Sequence, residues 1–190
     1  RSEGKYIGFG ALDHKDVLLW VDYLIKRFGN DIEIILHGIS MGAATVMLAN
    51  SANPPEQVKL VIEDCGYTNA KEEMCNTLKD MIGFNFVPIV DFASLLCKLI
   101  AGYHFKEADC IGRLPKAKNP ILFIHGDADT FVPTHMGVRL HEACAVPKDL
   151  LLVKGAVHAY SYYDAPDEYR AKVTGFIHKH MDTKVSAGGS

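Results

Sequence analysis

The sequence predicts an α/β domain: a mainly parallel sheet covered by helices on both faces. Short apolar runs with strand character recur at residues 32–36, 58–62, 120–124 and 150–153. Segments with helical periodicity or helix-start signals separate them, and this alternation implies right-handed crossovers and parallel pairing. A length of 190 residues, 48% hydrophobic and 23% charged, suits a single core.

The first helix is expected over residues 13–28, with Val17, Trp20, Val21, Leu24, Ile25 and Phe28 on one side and Gly29-Asn30 as its stop signal. The first strand, residues 32–36, leads into Gly38-Ile39-Ser40-Met41-Gly42 and then into the small, helix-prone run Ala43-Ala44-Thr45-Val46-Met47-Leu48. This is the pattern of a nucleophile elbow, a serine on a sharp turn from buried strand to helix. Glycines at 38 and 42 are read as leaving room where a side chain would collide with the packed strand or helix. The helix starting at Met41 points its N–H groups and positive dipole end at the turn.

Residues 58–62 read as a parallel strand, and Asp64 follows them. Residues 71–114 are longer than a simple crossover needs and rich in bulky apolar groups, so two or three helices are expected to pack on the sheet and overhang Ser40 as a small cap. A membrane span is the competing reading, but Pro88, Asp91 and Lys98 interrupt the segment. Residues 120–124 form the next strand and end in His125-Gly126-Asp127-Ala128-Asp129-Thr130-Phe131-Val132-Pro133. A helix over 134–145, capped by Thr134, comes next. The strand at 150–153 runs into Gly155-Ala156-Val157-His158. The last helix, 164–181, carries Pro166 near its first turn and Asp167 and Glu168 at its positive end. Residues 182–190 have nothing to bury and are expected to be a disordered tail.

An elbow serine, an H-G-x-x-D-x-x-V-P loop and a G-x-x-H loop, in that order and each after a strand, resemble the α/β-hydrolase superfamily. Within it the likeness is to single-domain serine esterases and to the catalytic domains of prolyl-oligopeptidase-like peptidases. It extends over nearly the whole chain. The resemblance implies Ser40 as nucleophile, His158 as the base that takes its proton, and Asp129 as the carboxylate that orients the imidazole, with the Met41 N–H as an oxyanion donor. Other assignments stay open: Asp127 lies two residues before Asp129, and Asp64 sits where some hydrolases of this fold carry their acid. His37 and His125 read as strand-end histidines bonded to backbone. His125, Asp127 and Asp129 could suggest a metal, but no second cluster with ligand spacing accompanies them, and neither metal nor cofactor is expected.

The implied reaction is hydrolysis of carboxylic esters of small or medium apolar acyl groups. Short peptides or acylated amino acids are the alternative substrates, and a noncatalytic fragment or binding module is the reading of a different class. The cap's apolar density suggests a pocket including Phe92, Leu95, Leu96 and Val132, with Tyr67 and Thr68 at its rim. The start of the chain resembles the glycine-rich loop after the family's fourth strand, so N-terminal strands are expected to be missing. The edge of the strand at 32–36 would then pair with an N-terminal segment of the same protein or with a second copy.

A net charge of −3 with scattered basic residues argues against nucleic acid, and residues 113–118 read as an exposed loop. Five irregularly spaced cysteines do not make a disulfide framework. Reduced thiols and a cytoplasmic setting are the expectation, with Cys75 pairing to Cys97 or Cys110 only in an exported protein.

Overall fold

In the computed structural model, residues 3–84 and 86–181 are described. The expected tail, 182–190, lies outside the described residues. Four strands, β1 (Ile34–Ile39), β2 (Val58–Asp64), β3 (Ile121–Gly126) and β4 (Lys148–Val153), form one parallel sheet in the order β1-β2-β3-β4. Each of the first three runs past its apolar run into polar or glycine residues. Backbone pairing continues through Ile39 with Asp64, Asp64 with Ile124 and Gly126 with Val153, because the ladder needs peptide groups rather than apolar side chains. The site residues are thereby placed at the carboxyl edge of the sheet.

Side chains alternate across the sheet. Ile121 and Phe123 join the larger core with α1 (Asp13–Phe28), α2 (Met41–Asn50) and α6 (Thr134–Ala143), while Leu122 and Ile124 join the smaller core under α8 (Pro166–Met181). This is the α/β-hydrolase layering, helices on both faces of a parallel sheet. α2 is its centre: every residue from Ala43 to Asn50 is buried, and its alanines permit close approach to β1 and β2. The first helix is covered less fully than its pattern suggests. Val21 is buried, but Trp20 is 65% and Phe28 62% exposed, and β1 has only β2 beside it among the described residues.

Two expected helix starts differ. Thr134 does not cap α6; its hydroxyl donates to the Gly126 carbonyl at 2.7 Å and ties the helix to the end of β3, while Pro133 holds the cap position. The final helix, α8, starts at Pro166 rather than Asp164, which instead ends a separate short helix, α7 (Ser161–Asp164); Ala165 between them has φ −138° and ψ 63°, outside the helical region that a residue before proline avoids.

The long middle segment contains α3 (Ala70–Ile82), capped by the Asn69 side chain accepting from the Glu72 N–H at 2.8 Å, and α4 (Val87–Ala101). Both end on left-handed glycines, Gly83 and Gly102. The short α5 (Cys110–Arg113) follows, so part of the basic stretch at 113–118 is helical turn rather than open loop. Among the described residues no helix is long and apolar enough to cross a membrane. All five cysteines are free.

Candidate active site

Ser40 occupies the corner between β1 and α2 with φ 55° and ψ −117°, a conformation that costs a non-glycine residue about 1–3 kcal/mol. The neighbouring ladder holds it there: the Ser40 N–H donates to the Asp64 carbonyl at 2.8 Å, and its own carbonyl accepts the Ala44 N–H at 3.1 Å. A β-carbon at Gly38 would run into the Gly42 carbonyl and stand 2.7 Å from the Ala43 nitrogen. At Gly42 a β-carbon would meet nothing within 4 Å, so the expected steric need for glycine exists at 38 and not at 42. The tight approach is backbone against backbone.

Asp129 stands in the loop after β3. Its Oδ1 accepts the N–H groups of Phe131 and Val132, each at 3.0 Å, and its Oδ2 accepts from His158 Nδ1 at 2.8 Å. Burial pushes this carboxyl up, but the hydrogen bonds from His125 and His158, the His158 charge and the Val132 N–H outweigh it and hold the pKa at about 2. His125 lies behind, fully buried, with Nε2 2.9 Å from the Val132 carbonyl and 3.3 Å from Asp129 Oδ2. Gly137 makes room for its ring, since a β-carbon there would clash with Nδ1.

His158, in the loop after β4, completes the chain with Nε2 2.9 Å from Ser40 Oγ. An ionised Asp129 can only accept, so Nδ1 carries the proton and Nε2 is left to accept from the Ser40 hydroxyl. The ring of Phe131 lies 4.9 Å away, centroid to centroid, and shields one side.

The open alternatives find other partners. Asp127 accepts the Gly155 N–H at 2.6 Å and so fastens the loop that carries His158. Asp64 is buried at the end of β2, where burial, opposed by the Tyr169 hydroxyl, raises its pKa to about 6. His37 also meets Tyr169, at 3.1 Å.

A cavity of about 130 Å³ opens beside Ser40. Met41, Tyr67 and Val132 line it, as does Met74, one of the bulky apolar groups of the segment 71–114; Phe9, Glu73 and Phe131 also line it and were not expected there. Phe92, Leu95 and Leu96 do not line it. They lie on α4 at 59%, 49% and 40% exposure, because α4 turns its buried residues Val90 and Ser94 inward and leaves these three on the outer side. The part of the middle segment that reaches Ser40 is α3, through Glu73 and Met74. Its periodicity marks an inward face, but nothing in the sequence tells which turn meets Ser40.

Among the described residues, Cys65, Asp129 and His158 are the one group of three potential metal donors, with ligand atoms within 4.8 Å of one another. Asp129 and His158 are already bonded to each other, and burial pushes the Cys65 thiol far from the thiolate a metal would take. Asp127 Oδ1 is engaged by the Gly155 N–H.

A model of the prolyl oligopeptidase family matches residues 9–184. The chain belongs to that family. A curated relative, the uncharacterized protein YqkD of Bacillus subtilis, is 30% identical over 184 residues, covering 96% of this chain and 60% of its own length. This prolyl oligopeptidase family chain therefore spans less than two thirds of that relative. Among solved structures it is similar to the Pyrococcus furiosus esterase Pf2001, with a TM-score of 0.71, 19% identity, and coverage of 95% of this chain and 67% of that one. It is also similar to the Pyrococcus horikoshii acylaminoacyl peptidase, with a TM-score of 0.66, 15% identity, and coverage of 94% and 29% respectively. At such identities the likeness establishes the α/β-hydrolase fold.

Proposed function

We propose that the protein is a serine hydrolase that cleaves carboxylic esters of small to medium apolar acyl groups through an acyl-enzyme on Ser40. The observation that carries this reading is the unbroken hydrogen-bond chain from Asp129 through His158 to Ser40, ending at the cavity. In the first step Ser40 Oγ bonds to the substrate carbonyl carbon while its proton passes to His158 Nε2. The bond to the leaving group then breaks, and that proton goes to the departing oxygen. Water, deprotonated by His158, attacks the acyl-serine, and the acid leaves as the proton returns to Ser40. The Met41 N–H, at the start of α2, is the oxyanion donor proposed from this chain. Asp129 keeps the imidazole in the required tautomer and stabilises the imidazolium.

Family membership favours a second reading, in which the leaving group is the amine of a short peptide; one of the structural neighbours is an acylaminoacyl peptidase. The two differ only in whether His158 protonates an oxygen or a nitrogen. Turnover of p-nitrophenyl esters and of peptide anilides by the full-length protein separates them. Ester turnover well above anilide turnover is expected; the reverse would make the protein a peptidase.

A further inference from the structure

The cavity at Ser40 holds one carboxyl side chain for which the triad has no use. Glu73, on the first turns of α3, lines that cavity and is 3% exposed. Its Oε1 takes a single long hydrogen bond, 3.4 Å, from the Thr77 hydroxyl, and its Oε2 is buried with no hydrogen-bond partner. The adjacent Glu72 is the opposite case: Thr68, the Asn69 amide and Arg139 all donate to it. The walls around Glu73 cannot supply what is missing. Phe9, Met41, Met74 and Val132 are apolar, and the Tyr67 hydroxyl is spent on the Phe9 carbonyl at 2.9 Å.

A buried carboxyl oxygen without a donor costs about 1–3 kcal/mol, more when charged, and the fold gains nothing visible in return. A donor brought by a ligand would recover it, and an ammonium does so best, since a charge-assisted hydrogen bond is roughly twice as strong as a neutral one. Placed beside the nucleophile, the group would act on the acyl part of a substrate. A cavity of about 130 Å³ admits only a small one.

We propose that Glu73 is a specificity-determining residue that accepts the ammonium group of a small aminoacyl substrate, so that Ser40 is acylated preferentially by amino acids such as alanine. This rests on the serine hydrolase part of the reading above and replaces its apolar acyl group by a small one that carries an ammonium. The ammonium is bound and not altered; bond making and breaking stay at Ser40 and the carbonyl.

The test uses the full-length protein and two substrates of one skeleton, alanine benzyl ester and benzyl propionate. The ratio of their kcat/KM values should favour the aminoacyl ester at least about 10-fold and fall roughly 10- to 100-fold in Glu73→Gln, the range of a hydrogen bond to a charged group. Alaninamide should inhibit the parent competitively at lower concentrations than propionamide, a reading that needs no variant to fold. Equal kcat/KM for the two esters, or a ratio unmoved by Glu73→Gln, overturns the proposal while turnover of benzyl propionate leaves the hydrolase reading intact. Turnover of neither ester, with no fluorophosphonate labelling of Ser40, sinks both.

Discussion

Gly38 and Gly42 face each other so closely that the carbonyl of the second occupies the space a β-carbon on the first would need. The space beside Gly42 itself is empty. Gly38→Ala is therefore expected to spread the elbow, costing roughly 1–3 kcal/mol as overpacking does and displacing Ser40 from His158. Gly42→Ala should fold at least as well, because alanine is the better helix former by up to about 1 kcal/mol. Urea midpoints and ester turnover of the two variants check this; equal damage from both would show that the crowding is not specific to residue 38.

Asp129→Asn leaves the shape of the loop but offers His158 the wrong partner for its tautomer, and turnover should fall by about four orders of magnitude. Asp127→Asn keeps an oxygen for the Gly155 N–H, and its effect should be small by comparison. Asp64 bonds neither ring nitrogen of His158. Steady-state rates for the Asp129 and Asp127 variants decide the matter; a mild Asp129→Asn with a crippled Asp127→Asn would move the acid.

Glu63 is wholly buried behind the site, one oxygen on the Gly66 N–H and the other unpartnered. Burial raises its pKa from 4.5 to about 8 against the opposing pull of His125 and Gly66. Between those values the folded state keeps a proton that the unfolded chain has released. Stability should thus decrease as pH rises, at about 1.4 kcal/mol per pH unit for this one group. Glu63→Gln cannot ionise, and its stability between pH 5 and 8 should be flatter than the parent's by about that slope. Asp64 and Glu73, raised in the same direction, leave part of the slope in place. Parallel profiles for parent and variant would rule Glu63 out.

Polar replacements of Phe92, Leu95 and Leu96 should leave acyl-chain selectivity where it is, since these side chains do not line the cavity. Met74→Ala should shift it, because each methylene-sized change in an apolar pocket is worth roughly 1–3 kcal/mol of discrimination. A chain-length series of p-nitrophenyl esters measures both. A shift from the α4 variants with none from Met74→Ala would place the acyl pocket on α4 instead.

The hydrogen-bonded chain of Ser40, His158 and Asp129 was legible because each residue sits in a local pattern with a mechanical cause: glycine before the elbow serine, and loops entered from buried strands. Order along the chain then limited which acid and which base could meet. Glu73 had no such mark. Its neighbour Glu72 has the same chemistry and differs only in pointing at Arg139, a distinction fixed by how α3 docks. Phe92, Leu95 and Leu96 failed for the converse reason: α4 is apolar nearly all round, so its sequence does not say which side faces in. Trp20 and Phe28 differ: α1 is amphipathic, but its pattern does not say how much of the apolar side is covered.

If His158 activates Ser40 as a nucleophile, a fluorophosphonate probe will capture that serine. Incubation of the full-length protein followed by intact-mass and peptide analysis should show one adduct, on the peptide containing Ser40, absent in Ser40→Ala and strongly slowed in His158→Ala. A folded protein that stays unmodified, or an adduct on another serine, would contradict the account and leave the hydrogen-bonded triad as the relic of a binding module.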